Sequence, residues 1–383
     1  MILFSFDYPP CDGGISRLCA GIVGQLRLSG ADLTVLTQRP PRYPQVDSYD
    51  IQRVFGNRPL REVLALFRLK RLEKSDSAVL CGIWYPEGVI AVLSGCKNIV
   101  ILGHGNELMA YNRGWRKIIW DALRRWVLKR ASCIIANSSY TAGLAAHAAP
   151  GAVVQVLPPA VDHVRFKPGD RDAACDRLGL DKSAFIIGTV SRLVRYKGFE
   201  TVFRAIDLIP PAQRRNVRYV IAGRGGDEVF LRRRAEELGI GTCVQWRGFL
   251  AEETLPLFYQ ALDIFALCTI EDRSSRSVEG FGLSLLEAQA CGIPAVGARC
   301  GGIPEAIDEK CGFLIEQSDH AALAGIFQTL LENKAIGRTV GIAARKRVEN
   351  ECAWKNYAEK LTAIIGKETI SPARHLRQLS QTK

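Results

Sequence analysis

The stretch from Glu279 to Glu287 contains the residues best suited to chemistry. It reads Glu-Gly-Phe-Gly-Leu-Ser-Leu-Leu-Glu and continues at helical spacing until Gly292 and Pro294, which end a helix. Glycines at the start of a helix leave backbone N–H groups free to bind phosphate oxygens. The two carboxylates would repel phosphate alone, but they can accept hydrogen bonds from hydroxyls. This pattern predicts a ligand with a diphosphate in its middle, a sugar at one end and a ribose at the other.

Basic residues elsewhere could neutralise that diphosphate. Arg192 and Lys197 lie in a turn directly after the apolar run 185–190. Glycine-rich turns also follow the apolar runs that end near residues 222 and 298. Open α/β sheets bind ligands at the edge where their strands end, so these turns and the Glu279 segment are expected to meet there.

The elements that must position these residues alternate between strand and helix. Near the N-terminus a strand (2–6), a helix (15–28) and a second strand (32–37) form a βαβ unit, which implies a parallel sheet. Further strands are predicted at 78–83, 98–102, 133–136, 185–190, 218–222, 244–246, 264–267 and 295–296, with helices at 199–209, 228–238, 321–331 and 353–365. We therefore expect an α/β protein with two doubly wound domains, divided near residue 165.

In these motifs the sequence resembles the retaining glycosyltransferases of family 4 (group 1), which have the GT-B fold and use nucleotide-diphosphate sugars. The resemblance covers nearly the whole chain and implies two Rossmann-like domains facing across a cleft. Residues 1–165 would form the acceptor-side domain and residues 166–352 the nucleotide-sugar domain. Residues 353–383 would form a closing helix that packs on the first domain, followed by a basic tail.

The resemblance also implies a role for each matching residue. Donor-binding residues would be Glu279 at the sugar hydroxyls, Glu287 at the ribose, Arg192 and Lys197 at the diphosphate, the amides around Gly282 and Leu283, and Leu250 at the base. In the first domain Gly14, in the pair Gly13-Gly14, would lie in a loop that closes over the donor. His104, in Gly-His-Gly-Asn-Glu, matches the active-site histidine and would position the sugar and stabilise the transition state.

Together with His104, the residues Glu279, Arg192 and Lys197 are the expected catalytic set. An oxocarbenium-like sugar and a departing diphosphate could be stabilised by these side chains and the helix start, so no metal or other cofactor is expected. The triplet Asp170-Arg171-Asp172 matches a metal-binding D-x-D pattern, but no strand precedes it, and we interpret it as coincidental. The donor is a nucleotide sugar. The loop before Glu279 and the His104 motif resemble enzymes that use GDP-mannose.

Net charge bears on the acceptor and on location. The chain of 383 residues has 51 Lys and Arg against 39 Asp and Glu, a net charge of +12. Residues 113–130 combine seven basic side chains with apolar residues at helical spacing: Trp115, Ile119, Leu123 and Trp126. This pattern is typical either of a helix on an anionic membrane or of a helix packed on a sheet. A saccharide or lipid-linked acceptor of surface polysaccharide or glycolipid assembly is expected, and nucleic acid is not.

Location and competing functions follow from what the sequence lacks. The apolar residues 1–6 end at Asp7 without a basic start or cleavage site, so we expect a cytoplasmic protein, peripheral on the inner membrane face if the basic helix binds there.

A dinucleotide oxidoreductase would need G-x-G-x-x-G after the first strand, where only Gly13-Gly14 stands. A nucleotide-sugar epimerase of the same architecture remains an alternative. A non-catalytic basic protein would not explain the paired glutamates.

Overall fold

The computed structural model describes residues 1–11, 13–39, 50–73, 77–109, 114–272 and 277–370. The strands are β1 (Ile2–Phe4), β2 (Thr34–Gln38), β3 (Ile51–Val54), β4 (Ala78–Cys81), β5 (Asn98–Gly103), β6 (Cys133–Ala136), β7 (Val154–Val156), β8 (Phe185–Val190), β9 (Val217–Ala222), β10 (Val244–Gly248), β11 (Ile264–Leu267), β12 (Ala295–Ala298) and β13 (Phe313–Ile315). The helices are α1 (Gly14–Leu28), α2 (Leu60–Leu72), α3 (Val89–Ser94), α4 (Trp115–Leu128), α5 (Ser139–Ala148), α6 (Arg171–Leu178), α7 (Phe199–Asp207), α8 (Pro211–Arg214), α9 (Glu228–Glu237), α10 (Leu255–Gln260), α11 (Leu283–Ala290), α12 (Ile303–Ala306), α13 (His320–Glu332), α14 (Lys334–Glu351) and α15 (Trp354–Ile370).

Two parallel sheets organise these elements. The first has seven strands in the order β3-β2-β1-β4-β5-β6-β7, and the second has six in the order β10-β9-β8-β11-β12-β13. The strand order reverses between β1 and β4 in the first sheet and between β8 and β11 in the second. Doubly wound sheets bind ligands at the carboxyl ends of the strands that flank such a reversal. The expected α/β class with two doubly wound sheets is confirmed.

Burial explains why the sequence revealed the central strands. Every residue of β4, β6, β11 and β12 is buried. Helices cover both faces of a parallel sheet, so its inner strands read as continuous apolar runs rather than as an alternating pattern. The edge strands β3, β7 and β13 are partly exposed and gave no such signal.

The chain divides into two units at slightly different residues from those expected. The first unit contains Met1–Pro159 and Trp354–Lys383, and the second contains Ala160–Ala353. The segment after Pro159 joins the second unit because the Val161 amide donates to the Cys352 carbonyl at 2.9 Å. Helix α15 belongs to the first unit, where the Trp354 indole covers Gly21 of α1. The last residues of the expected basic tail, 371–383, lie outside the described residues.

Helix α14 shows why a glycine inside a helix is sometimes required. A Cβ atom on Gly341 would lie 1.9 Å from the Gly292 carbonyl oxygen. This oxygen belongs to the backbone, so it cannot move away without a cost in stability. The helix can approach the end of α11 so closely only because residue 341 has no side chain.

We predict that Gly341→Ala lowers the free energy of unfolding by about 2 kcal/mol, because the methyl group overpacks this contact. Gly325→Ala in α13 is the matched control: nothing lies within 4 Å of its Cβ position. That substitution should instead raise the free energy by about 0.5–1 kcal/mol through helix propensity. Urea denaturation of both variants measures the two effects. A stabilised Gly341→Ala protein would contradict the packing described.

Candidate active site at the carboxyl edge of the second sheet

The loops that follow β8, β9, β10, β11 and β12 are tied to one another by backbone hydrogen bonds. The bonds run from Ser191 N to Ala222 O (3.1 Å), Leu193 N to Arg224 O (3.0 Å), Gly223 N to Gly248 O (2.7 Å), Ile270 N to Tyr196 O (2.8 Å) and Gly302 N to Glu279 O (2.9 Å). They confirm that the glycine-rich turns meet at one edge of the sheet. Side chains on these loops are therefore held by a hydrogen-bonded frame rather than by isolated turns.

Two glycines let the loops of this frame approach closely. Gly198 has φ 78°, and a Cβ there would lie 1.7 Å from the Cys268 carbonyl oxygen. Gly301 has φ 56°, and its Cβ would lie 2.1 Å from the Glu279 carbonyl oxygen. A side chain at Gly198 would displace the loop that carries Lys197, and one at Gly301 would displace the loop that carries Glu279.

Lys197 and Glu279 form an ion pair at the point where the strand order reverses. The Lys197 Nζ atom lies 2.5 Å from Glu279 Oε2. The two side chains are 12% and 17% exposed, so water screens the pair only partly. Both residues were expected at the ligand, but their sequence positions gave no indication that they bind each other. In this structure the cation and the carboxylate satisfy one another at the carboxyl edge of the sheet.

Helix α11 begins beside this pair, as predicted. Gly282 is its N-cap residue, with φ 96°, and no side chain caps the helix. The first turn from Leu283 contains no acidic residue. The first N–H groups of a helix have no partner within it and carry partial positive charge, so this end suits an anion.

Glu287 lies in the second turn of α11 and is buried. The Tyr259 hydroxyl donates to its Oε2 atom at 2.6 Å, and Tyr259 belongs to the core of the second unit. The carboxylate therefore has a protein partner. Its expected contact with a ribose stays a prediction.

The other expected donor-binding residues surround the same edge. Arg192 is exposed, and its Nη2 atom donates to the Tyr196 hydroxyl at 2.9 Å. Leu250 is half-buried against the core, one residue after Phe249. The Arg224 guanidinium lies 5.7 Å from the centre of the Phe249 ring, which adds a cation that sequence analysis did not select. The sequence feature that could have identified Arg224 is its position in the glycine-rich turn after β9.

In the first unit, Gly14 lies after β1 and His104 lies after β5, both near the point where the strand order of the first sheet reverses. Gly14 is the first residue of α1, after Gly13 with φ 137°. His104 follows β5, and its Nε2 atom lies 2.7 Å from the Gly82 carbonyl oxygen. A carbonyl can only accept, so Nε2 carries the proton in the neutral ring and Nδ1 is an acceptor. The His104 amide donates to Glu107 Oε1 at 2.6 Å, which fixes the loop.

Asp170 has a structural role rather than a metal-binding one. Its side chain caps α6 by accepting from the Asp172 and Ala173 amides at 2.9 and 3.1 Å, and Arg171 pairs with Asp263 at 2.7 Å. Within the described residues, no group of three or more His, Cys, Asp or Glu side chains could hold a metal ion. All twelve cysteines are free thiols.

A cavity in the second unit lies away from these loops. It has a volume of about 830 Å³, and its lining includes Phe185, Asp263 and Pro294, which stand at the amino ends of β8, β11 and β12. Ligands of doubly wound sheets bind at the opposite, carboxyl edge. This cavity therefore lies outside the candidate site.

Helix α4 of the first unit packs part of its apolar surface on the core and leaves another part exposed. Leu123 and Trp126 pack on the core, and Arg124 is buried, with its Nη1 atom 2.7 Å from the Met109 carbonyl. The first turn differs: Trp115, Ile118 and Ile119 are 67%, 73% and 57% exposed. The apolar residues at the two ends of the helix therefore have different surroundings: Trp115 and Ile119 are exposed, whereas Leu123 and Trp126 contact the core. Arg113 lies outside the described residues.

The described part of the chain contains no helix that is both long and apolar enough to cross a bilayer.

Comparisons with known proteins agree with the architecture. Residues 170–347 match the family model for "Glycosyl transferases group 1", and residues 12–165 match that for "Glycosyltransferase Family 4". HepE of Anabaena in complex with UDP superposes with a TM-score of 0.75 at 19% identity, covering 96% of this chain and 99% of that one. WaaG, a glycosyltransferase involved in lipopolysaccharide biosynthesis, has a TM-score of 0.73 at 18% identity, with 95% and 99% covered.

Relatives of similar length give the family. The GDP-mannose-dependent alpha-(1-6)-phosphatidylinositol monomannoside mannosyltransferase of Mycolicibacterium smegmatis is 32% identical, covering 99% of this chain and 100% of its own. A D-inositol 3-phosphate glycosyltransferase of Corynebacterium jeikeium is 35% identical over 58% of this chain and 53% of its own. These comparisons give no support to the epimerase alternative. The chain belongs to glycosyltransferase family 4, the group 1 glycosyltransferases, and it has the GT-B fold.

Proposed function

We propose that this protein transfers mannose from GDP-mannose, with retention of anomeric configuration and without a metal, to a lipid-linked saccharide in glycolipid assembly. The observation that carries the proposal is the Lys197–Glu279 pair beside the uncapped start of α11. It combines a cation, a carboxylate and an anion-binding helix end, which are the groups that a nucleotide-diphosphate sugar requires. The choice of mannose, of GDP and of a lipid acceptor is supported by the M. smegmatis relative.

The proposed reaction balances without a separate protein base. The bond between the sugar C1 and the diphosphate oxygen breaks as a bond from C1 to the acceptor hydroxyl oxygen forms on the same face. The acceptor proton passes to the departing phosphate oxygen. Lys197, Arg192 and the α11 N–H groups stabilise the negative charge on the diphosphate, and His104 positions the sugar. Glu287 and Leu250 complete donor binding at the ribose and the base, and the Gly14 loop closes over the donor.

The Lys197–Glu279 pair also gives the site a way to respond to its donor. A diphosphate would compete with Glu279 for the Lys197 ammonium group. When Lys197 turns to the phosphate oxygens, the Glu279 oxygens become available to the sugar hydroxyls. Donor binding thereby replaces one charged contact with two, one at each end of the donor.

We predict that GDP raises the melting temperature of the protein more than UDP or ADP does. A ligand at about 100 times its dissociation constant adds about 2.7 kcal/mol to the free energy of unfolding. Differential scanning fluorimetry with each nucleotide in equal excess measures the difference, and NAD serves as a control. A larger rise with UDP would reject the GDP donor and leave the transferase assignment standing.

We predict that Glu279→Gln lowers kcat/KM for GDP-mannose by about 100-fold, as loss of one transition-state contact does. GDP binding should be unchanged or tighter, because the substitution frees Lys197 from its partner. Calorimetry with GDP and a transfer assay separate the two effects. Glu332→Gln, an exposed residue at the end of α13, is the control and should leave both values unchanged. A GDP affinity that falls in step with transfer would contradict the role assigned to Glu279.

We further propose that the first turn of α4 contacts an anionic membrane. Trp115, Ile118 and Ile119 form an exposed apolar tip, and Arg116 and Lys117 are exposed beside them. Aromatic and aliphatic side chains next to basic ones are typical of helices that lie in the headgroup region. A lipid-linked acceptor would be presented at that surface.

We predict that Ile118→Glu reduces binding to vesicles of phosphatidylglycerol and phosphatidylcholine at low salt by at least about 10-fold, because it puts a charge into the apolar tip. Ile342→Glu is the matched control: Ile342 is 71% exposed on α14 and is expected to have no part in binding. Co-sedimentation with vesicles measures both variants. Equal losses in the two, or no binding by the wild-type protein, would reject α4 as the membrane contact.

A further inference from the structure

We propose that Glu87 is a positioning residue that holds the loop after β1 against the segment that supports His104. The proposal rests on the proposed function in one respect only: it assigns these two loops to the site of sugar transfer. Glu87 lies in the helical turn Trp84–Gly88 that follows β4, so it stands at the reversal point of the first sheet, between β1 and β4.

The Glu87 carboxylate is buried and makes one bond to the loop after β1. Its residue is 1% exposed, and the Phe6 amide donates to Oε1 at 2.8 Å. Oε2 is buried and has no hydrogen-bond partner among the described residues. A carboxyl group is costly to bury with one oxygen unpaired, so its presence calls for a reason other than stability.

The segment that carries Glu87 supports the His104 loop with its other contacts. The Gly82 amide donates to the Phe4 carbonyl at 2.8 Å, and the Gly82 carbonyl accepts from His104 Nε2 at 2.7 Å. The Trp84 indole donates to the Glu107 carbonyl at 2.8 Å. Residues 82–88 thus lie between two strand-end loops. One leads from β1 to Gly14, and the other carries His104.

Several titratable groups surround the Glu87 carboxylate. Burial is the main reason that the pKa of Glu87 is raised to about 7; Asp7 acts in the same direction, and the Phe6 and Glu87 amides and Arg61 act against it. Cys19 of α1 and Cys81 of β4 also face it, and burial raises the pKa of both thiols.

Both protonation states of Glu87 therefore occur near neutral pH, and Oε1 can accept from Phe6 in either. At 1% exposure the carboxyl group cannot reach a substrate. What the geometry requires of residue 87 is an oxygen at the right distance, not a charge.

Two substitutions separate these possibilities. Glu87→Gln keeps the length of the side chain and an acceptor oxygen but removes the charge. Glu87→Asp keeps the charge and withdraws the oxygen from the Phe6 amide. Glu359→Asp, an exposed residue of α15 in the same unit, is the control for the loss of one methylene.

We predict that Glu87→Asp lowers kcat about 10-fold or more with KM for GDP-mannose within about 2-fold, since small displacements of a positioned group are costly. Glu87→Gln should retain kcat within about 3-fold and the wild-type pH profile between pH 6 and 8. Hydrogen exchange of the backbone over residues 5–11 should accelerate in Glu87→Asp only. Glu359→Asp should match the wild-type protein in each measurement.

Three outcomes would overturn the proposal. A Glu87→Gln enzyme as impaired as Glu87→Asp would make the charge essential, and an unimpaired Glu87→Asp enzyme would make the distance irrelevant. If Glu87→Asp lowered the melting temperature but left kcat and the hydrogen exchange of residues 5–11 unchanged, Glu87 would have a purely structural role. Absence of mannosyl transfer by the wild-type protein would instead reject the proposed function, and the exchange measurement would still decide whether Glu87 holds the loop.

Discussion

The convergence of parallel strand ends at the two reversal points is the constraint on which the rest of the structure depends. At the carboxyl edge of the second sheet, loops from five strands are bonded to one another through their backbones, and Gly198 and Gly301 allow approaches that no other residue could make. This frame brings a cation and a carboxylate from separate loops into contact beside an uncapped helix. These three groups are thus held together at one edge of the sheet by the loops that carry them.

The first sheet uses the same constraint with different chemistry. At its reversal point a buried carboxylate, rather than an ion pair, joins the loop after β1 to the segment after β4. The His104 ring is then held through a backbone carbonyl of that segment. In each sheet a charged side chain therefore links loops that follow neighbouring strands: Glu279 pairs with Lys197 in the second sheet, and Glu87 accepts from the Phe6 amide in the first.

The positive charge of the chain is distributed between structure and surface. Arg345 donates to three backbone carbonyls, of His163, Phe166 and Ala290, and so ties the end of α11 to the start of the second unit. Arg124 and Arg171 are likewise committed to carbonyl and carboxylate partners. The net charge of +12 thus overstates what is free to attract an anion. The exposed Arg116 and Lys117 in the first turn of α4 belong to the charge that is accessible at the surface.

Much of the fold could be predicted from sequence because buried strands and amphipathic helices leave local patterns. The central strands and the starts of α1, α7, α9 and α11 lie within two residues of their expected positions. The 18-residue helix α14 was not predicted, since Gly337 and Gly341 interrupt its pattern. Those glycines are explained only by packing, because Gly341 lies against the Gly292 carbonyl. Three of the four edge strands, β3, β7 and β13, were missed for the converse reason, as they bury too little to leave an apolar run.

The sequence by itself determined the family, the order of the central strands and of the helices between them, and the residue types available at the strand ends, because each of these follows from local residue types and spacing. Only the tertiary structure decided which of those residues meet. Lys197 and Glu279 are 82 positions apart, and Phe6 and Glu87 are 81 apart. Their contacts follow from the strand order, which makes neighbours of strands that are distant in the chain. Partners set by that order cannot be read from either segment alone.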